Sequence, residues 1–250
     1  MFRKLLSVML VLMLAGCASN EAAPADSASG NHGCDAFEAC DDTEGTGSDT
    51  SLSFKESYEA LNGTENSSGK VHRTISIPEN HPFEKTEPED VVEMIHSGES
   101  FWLYFGDPKC PWCRAVIETA IQAAEESGVT SIKYIEIWDG EGNEILRDKY
   151  ELNGGTPVKT GEGTAEYKEL LNLLDPVLEP YELEDESGNL IDAGEKRIYA
   201  PNYVRIENGK AVRLITGIPS ELSDPRGELS TGQIAEEKAQ FMEFFAEGYN

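Results

Sequence analysis

Two cysteines separated by two residues, Cys110-Pro111-Trp112-Cys113, are the side chains in this sequence best suited to chemistry. A thiol pair at that spacing can close into a disulfide and reopen, passing two electrons to or from another pair of sulfurs. Only a thiolate attacks, so the chemistry requires one sulfur that loses its proton easily. The flanking sequence supplies such a position. Phe101-Trp102-Leu103-Tyr104-Phe105 is a continuous apolar run of strand length, broken by Gly106-Asp107-Pro108. Beyond the pair, Ile117, Ala120, Ile121 and Ala124 recur at helical spacing until Gly128 supplies a stop. Strand, tight turn and helix together set Cys110 at a helix N-terminus, where free N–H groups and the macrodipole favour a thiolate. Pro111 suits the first turn because it has no N–H to leave unpaired, and Cys113 follows one turn in. Cys110 is the expected nucleophile and Cys113 the resolving thiol. Lys109 and Arg114 flank the pair and either favour the thiolate or are ordinary surface charge, while Asp107 opposes it. Trp112 either covers the sulfurs and contacts a peptide or packs locally.

Far downstream, Tyr199-Ala200-Pro201-Asn202 leads into two apolar-patterned segments, Tyr203 to Glu207 and Lys210 to Thr216, joined by the hairpin signal Asn208-Gly209. A CxxC after a buried strand, with this proline, strand, turn and strand behind it, resembles the thioredoxin superfamily. Within it the chain is similar to thioredoxin-like bacterial lipoproteins of the bacteriocin-transport-accessory kind, and the likeness covers residues 70 to 250, approximately. The resemblance implies an α/β, thioredoxin-like fold: a central mixed sheet flanked by helices, with Pro201 as a cis-proline against the dithiol. In that family the proline loop blocks metal capture and offers backbone groups to an extended peptide. Trp112, Ala200 and Pro201 are thereby expected substrate-binding residues, with no cofactor and no metal. Two departures stand out. Tyr104 occupies the place of a buried aspartate that moves protons to and from the resolving cysteine, and Ala200 replaces the Thr or Val common before the proline.

The N-terminus indicates a compartment. Arg3 and Lys4 precede an apolar run from Leu5 to Leu14, too short to cross a bilayer, and Leu14-Ala15-Gly16-Cys17 follows. This looks like a bacterial lipoprotein signal over residues 1–16, with lipidation of Cys17. The expected location is the cell envelope: the outer face of the cytoplasmic membrane, or the periplasm and outer membrane of a Gram-negative cell. That setting permits disulfides. Residues 17–50 are rich in Ala, Ser, Gly, Asp and Glu and are expected to be a disordered acidic tether. Four cysteines besides Cys17 allow three pairings, of which Cys34 with Cys40 and Cys110 with Cys113 is the most economical. The first pair would be an accessory disulfide, either a small stabilising loop or a redox relay for the main pair, and a zinc site built from all four has the wrong spacing. A formal net charge of −27 argues against nucleic acid or anionic lipid as a partner.

Residues 51–250 are expected to hold the thioredoxin-like domain. Val71, Ile75 and Ile77 alternate on one face and predict a strand over Val71 to Ile77. Thr86-Glu87-Pro88-Glu89 is a capping-box signature ahead of a helix carrying Val91, Val92 and Ile95, and Ser131 to Ile137 predicts another strand. An insertion from about residue 140 to 198 carries a helix marked by Tyr167, Leu170, Leu171 and Leu174. Hairpins are predicted on either side of it, from Glu151 to Lys159 and from Tyr181 to Asp192. A last helix opens on the capping box Ser230 to Gln233 and presents Ile234, Phe241, Met242 and Phe245 to the sheet. The expected function is a membrane-anchored thiol-disulfide oxidoreductase acting on the thiols or disulfides of exported proteins or peptides and coupled to a membrane redox partner. A non-catalytic peptide-binding module and a redox-inert surface lipoprotein are the alternatives.

Overall fold

Phe101–Gly106 lies at the centre of a five-stranded sheet, and every residue of it is buried. The structure is a computed structural model and describes residues 52–137 and 146–246. The signal expected over 1–16, Cys17, the tether expected to carry Cys34 and Cys40, and part of the expected insertion lie outside the described residues. The elements in chain order are α1 (Phe54–Glu59), β1 (Phe83–Lys85), α2 (Pro88–His96), β2 (Phe101–Gly106), α3 (Pro111–Glu126) and β3 (Ile132–Glu136). They continue with β4 (Lys149–Asn153), β5 (Thr156–Gly161), α4 (Ala165–Leu174), β6 (Glu179–Glu184), β7 (Leu190–Arg197), β8 (Asn202–Glu207), β9 (Lys210–Ile215) and α5 (Thr231–Ala246). The main sheet runs β1-β3-β2-β8-β9. Its first three strands are parallel, whereas β8 pairs antiparallel with β2 and β9 antiparallel with β8. The architecture is therefore mixed α/β, with helices packed on a mixed sheet.

Both faces of β2 are covered, which is why its sequence reads as an unbroken apolar run rather than an alternation. Trp102 and Tyr104 enter a core with α1, α3 and α5, while Phe101, Leu103 and Phe105 enter a second core with α2 and α4. Each large side chain so buried contributes about 1.5–3 kcal/mol of transfer free energy. Gly106 ends the strand for a steric reason: a Cβ there would lie 2.3 Å from the Tyr104 hydroxyl. At the β8–β9 turn, Asn208 and Gly209 both have positive φ, as the hairpin requires, and a Cβ on Gly209 would meet the Ile95 carbonyl at 2.3 Å.

Three local expectations need correction, and one helix was missed. Val71 to Ile77 is not a strand. Ile75 and Ile77 are buried as the alternation implied, but Val71 is half exposed and side chains take the backbone partners. Asn62 accepts the Ile75 N–H at 3.1 Å and donates to its carbonyl at 2.8 Å; Glu59 accepts the Ile77 N–H at 2.7 Å. The edge position of the sheet belongs instead to the short β1, paired with β3. The Thr86 capping box does not form: α2 is N-capped by Glu87 with no side-chain bond, and Pro88 fills the first turn. In α5 the Ser230–Gln233 box is present, with bonds of 3.2 and 2.9 Å, yet Ile234 is exposed. Glu237, Phe241, Phe244 and Phe245 are the residues that α5 buries. Finally, α1 was not anticipated, although Ser53 and Glu56 form a full capping box in front of Phe54 and Tyr58.

The two hairpins of the insertion, β4–β5 and β6–β7, form separate two-stranded sheets, and α4 contributes Tyr167, Leu170 and Leu174 to the second core. The hairpins are tied together through Asp148. Its carboxylate accepts from Lys159 Nζ at 3.1 Å and from the Gly163 N–H at 2.5 Å, and its carbonyl accepts from Arg197 at 2.9 Å. No described helix is long and apolar enough to cross a membrane.

Candidate functional site

The chain leaves the sheet at Gly106, turns through Asp107-Pro108-Lys109 and enters α3 at Cys110. The turn is closed by the Cys110 N–H donating to the Asp107 carbonyl at 3.1 Å, and the Asp107 carboxylate accepts the Lys109 N–H at 2.8 Å. Cys110 is the N-cap of α3, in extended conformation, and its sulfur accepts the Cys113 N–H at 3.3 Å. Sulfur thus occupies the place an N-cap oxygen usually holds, facing the free N–H groups of the first turn. Cys110 is partly exposed and Cys113 fully buried, and both are free thiols.

Environment separates the two thiols. Hydrogen bonding from Cys113 holds Cys110 below an ordinary thiol, with further help from the backbone N–H groups of Cys113 and Trp112; burial and the Asp107 charge act against this. Burial pushes Cys113 well up, reinforced by its hydrogen bond with Cys110 and by the charge on that sulfur, and the Tyr104 hydroxyl and Asp107 backbone pull it only partly back. The two thiols therefore differ in acidity, Cys110 favouring the thiolate and Cys113 the protonated form. Beneath them lies a group of buried phenols. Tyr104 shares a 2.9 Å hydrogen bond with Tyr58 and stacks on Tyr203 with ring centroids 4.4 Å apart.

Ala200-Pro201 is brought against this pair from the far end of the sequence. The peptide bond between them is cis, and the Cys110 thiol donates to the Ala200 carbonyl at 3.4 Å. Asn202, buried, fixes the approach by accepting the Tyr199 N–H at 2.6 Å. A cavity of about 830 Å³ opens beside Cys110, lined among others by Asp107, Lys109, Arg147, Tyr181, Arg197 and Tyr199. A second, of about 670 Å³, opens on the other side of Ala200 and is lined by Trp112, Pro201, Ile218, Pro219 and Leu222. Tyr199 and Ala200 line both. Cys110, Cys113, Trp112, Ala200 and Pro201 are therefore assembled in one place, whereas Cys17, Cys34 and Cys40 lie outside the described residues.

Arg114 is not surface charge. It is fully buried, and its guanidinium donates to the carbonyls of Tyr58, Pro108 and Arg73 and to the Asn62 side chain. The cavity walls supplied by Tyr181 and Arg197 were not anticipated: both sit in hairpin strands, where neither periodicity nor motif distinguishes them from ordinary β-residues. Burial of Asp107 was equally invisible. The residue is 4 % exposed, and desolvation raises its carboxyl to about 6. Among the described residues no group of three or more His, Cys, Asp or Glu side chains is placed to hold a metal ion. No known family model matches the chain, and no curated protein matches it.

Proposed function

We propose that the protein is a thioredoxin-like thiol-disulfide oxidoreductase, held at the cell envelope by a lipid on Cys17 and acting on exported proteins or peptides. The observation that carries this reading is the asymmetry of the dithiol: a depressed, accessible Cys110 at a helix start, touching the carbonyl before a cis-proline, and a buried Cys113 with a raised pKa. A purely structural disulfide gains nothing from such a split. In the reducing direction the Cys110 thiolate attacks a substrate disulfide, forming a mixed disulfide and releasing one substrate thiolate. Cys113 then gives up its proton and attacks Cys110, forming the 110–113 disulfide and releasing the second substrate sulfur. The oxidising direction reverses every step with the same residues. Trp112, Ala200 and Pro201 are proposed to hold the substrate chain, consistent with the two cavities that meet at Ala200.

The test is trapping. Cys113→Ala keeps the nucleophile and removes the resolving thiol, so substrate proteins should accumulate as mixed disulfides, reducible high-mass species in acid-quenched envelopes. Cys110→Ala should trap none. Equal trapping by both variants, or none by either with a Cys110 alkylation midpoint near the unperturbed value of about 8.5, rejects the reading and leaves a peptide-binding or structural module.

A further inference from the structure

We propose that Asp107 is the proton-transfer residue for the substrate sulfur at Cys110: its carboxyl protonates the thiolate that leaves when Cys110 attacks, and in reverse it accepts the proton of an incoming substrate thiol. The inference rests on the thiol-disulfide reading above and deepens it. Asp107 lies in the β2–α3 turn, three residues before the nucleophile, and the turn bond from the Cys110 N–H to the Asp107 carbonyl fixes the two relative to one another. Asp107 and Cys110 line the same open cavity, the space a substrate disulfide would enter to reach the nucleophile. One carboxylate oxygen is held by the Lys109 N–H. Of the other charged groups around it, Glu136 on β3 raises its proton affinity, and Lys109 and Arg147 lower it; desolvation outweighs them all.

The chemistry gives such a carboxyl a task. Attack by the Cys110 thiolate forms a Cys110–substrate S–S bond and breaks the substrate S–S bond, and the departing sulfur leaves with the electron pair. An alkyl thiolate is a poor leaving group because its conjugate thiol is a weak acid. A proton delivered from Asp107 converts it into a neutral thiol and leaves a carboxylate, which regains its proton from solvent through the cavity. A general acid works best when its pKa lies near the operating pH, and desolvation brings Asp107 into that range. The same charge that opposes the Cys110 thiolate when the carboxyl is ionised disappears when the proton is present, so the protonated form assists both the nucleophile and the leaving group.

The experiment compares two disulfide probes with the intact protein. Hydroxyethyl disulfide releases an alkyl thiolate that needs a proton; the aryl probe dithiobisnitrobenzoate releases a thiolate stable without one. The Asp107→Asn variant, which keeps an acceptor for the Lys109 N–H, is expected to react with the alkyl probe about tenfold or more slowly, and with the aryl probe at an equal or higher rate. In the wild type the alkyl-to-aryl rate ratio should fall as pH rises through about 6, a trend absent from the variant. Asp107→Glu should restore part of the alkyl rate. A variant that slows both probes equally, or neither, overturns the proposal, and Asp107→Ser makes the same comparison if the Asn form does not fold. A wild-type protein inert to both probes refutes the oxidoreductase reading itself, which is a distinguishable result.

Discussion

Arg114 carries a full positive charge within one turn of the nucleophile, and its chemistry is nevertheless structural. All of its described hydrogen-bond acceptors are neutral: the Tyr58 carbonyl at 2.8 Å, Pro108 at 3.2 Å, Arg73 at 3.0 Å and Asn62 Oδ1 at 2.6 Å. Asn62 in turn holds both backbone groups of Ile75, so one guanidinium pins the segment between α1 and β1 onto the start of α3. Replacing Arg114 with Ala leaves several buried acceptors unsatisfied and should cost on the order of 3–5 kcal/mol. Lys, lacking the planar fork, should recover little of it. Urea denaturation checks the loss. Alkylation of Cys110 as a function of pH should show an unmoved midpoint in the folded variant, and a raised midpoint at unchanged stability would return Arg114 to the role of thiolate tuner. The placement of Cys110 and Cys113 at the start of α3 was legible in the sequence because an apolar run, a Gly-Asp-Pro break and a helical period bracket them. Arg114 and Asp107 were not, since a charge beside a motif looks the same in sequence whether water or protein surrounds it.

Elements were legible where one local signal decided them and opaque where side chains from elsewhere took over the backbone. The hairpin at Asn208-Gly209 needed only its two positive-φ residues, and β2 only its apolar run. The segment from Val71 to Ile77 has the pattern of a strand and loses it to Asn62, Glu59 and Glu118, which bind its N–H groups. Helix α5 is the case with energetic consequences. Its apolar stripe is rotated from the expected one, and the rotation places Glu237, fully buried, where its carboxyl accepts from Thr119 on α3 at 2.8 Å. Desolvation raises that carboxyl from 4.5 to about 7. Between those values the native state keeps a proton that the unfolded chain releases, so this group's contribution to stability declines as pH rises from about 4.5 to about 7 and is constant above. The full decline is on the order of 3 kcal/mol. Glu237→Gln should remove it: the variant should gain stability relative to wild type between pH 5 and pH 8, read as the difference of urea midpoints. An equal difference at both pH values would mean that Glu237 is ionised throughout.

At the scale of the molecule, the proposed function makes charge the factor that would govern how disulfide substrates approach. The sequence has 47 acidic and 20 basic residues, and three of the basic ones, Lys109, Arg147 and Arg197, line the cavity beside Cys110. The cationic walls come from the hairpin region and the dithiol turn, more than thirty residues apart in sequence; within the hairpin region Arg197 donates to the Asp148 carbonyl and Arg147 to the Ile198 carbonyl. Two fields therefore compete. A long-range negative potential attracts cations and repels anions over distances that salt screens, about 10 Å at 0.1 M. Local positive groups act inside the cavity, where screening is weaker. If the long-range field governs encounter, a cationic disulfide such as cystamine should react faster than neutral hydroxyethyl disulfide at low ionic strength and lose about tenfold or more of its rate as salt is raised to 0.5 M. An anionic disulfide such as dithiodiglycolate should gain rate over the same range, and the neutral probe should stay flat. Stopped-flow measurement of Cys110 oxidation gives all three slopes. The opposite order at low salt, with the anionic probe fastest, would show that Lys109, Arg147 and Arg197 outweigh the rest of the surface, and Lys109→Gln should then reduce that preference without changing the slope of the neutral probe.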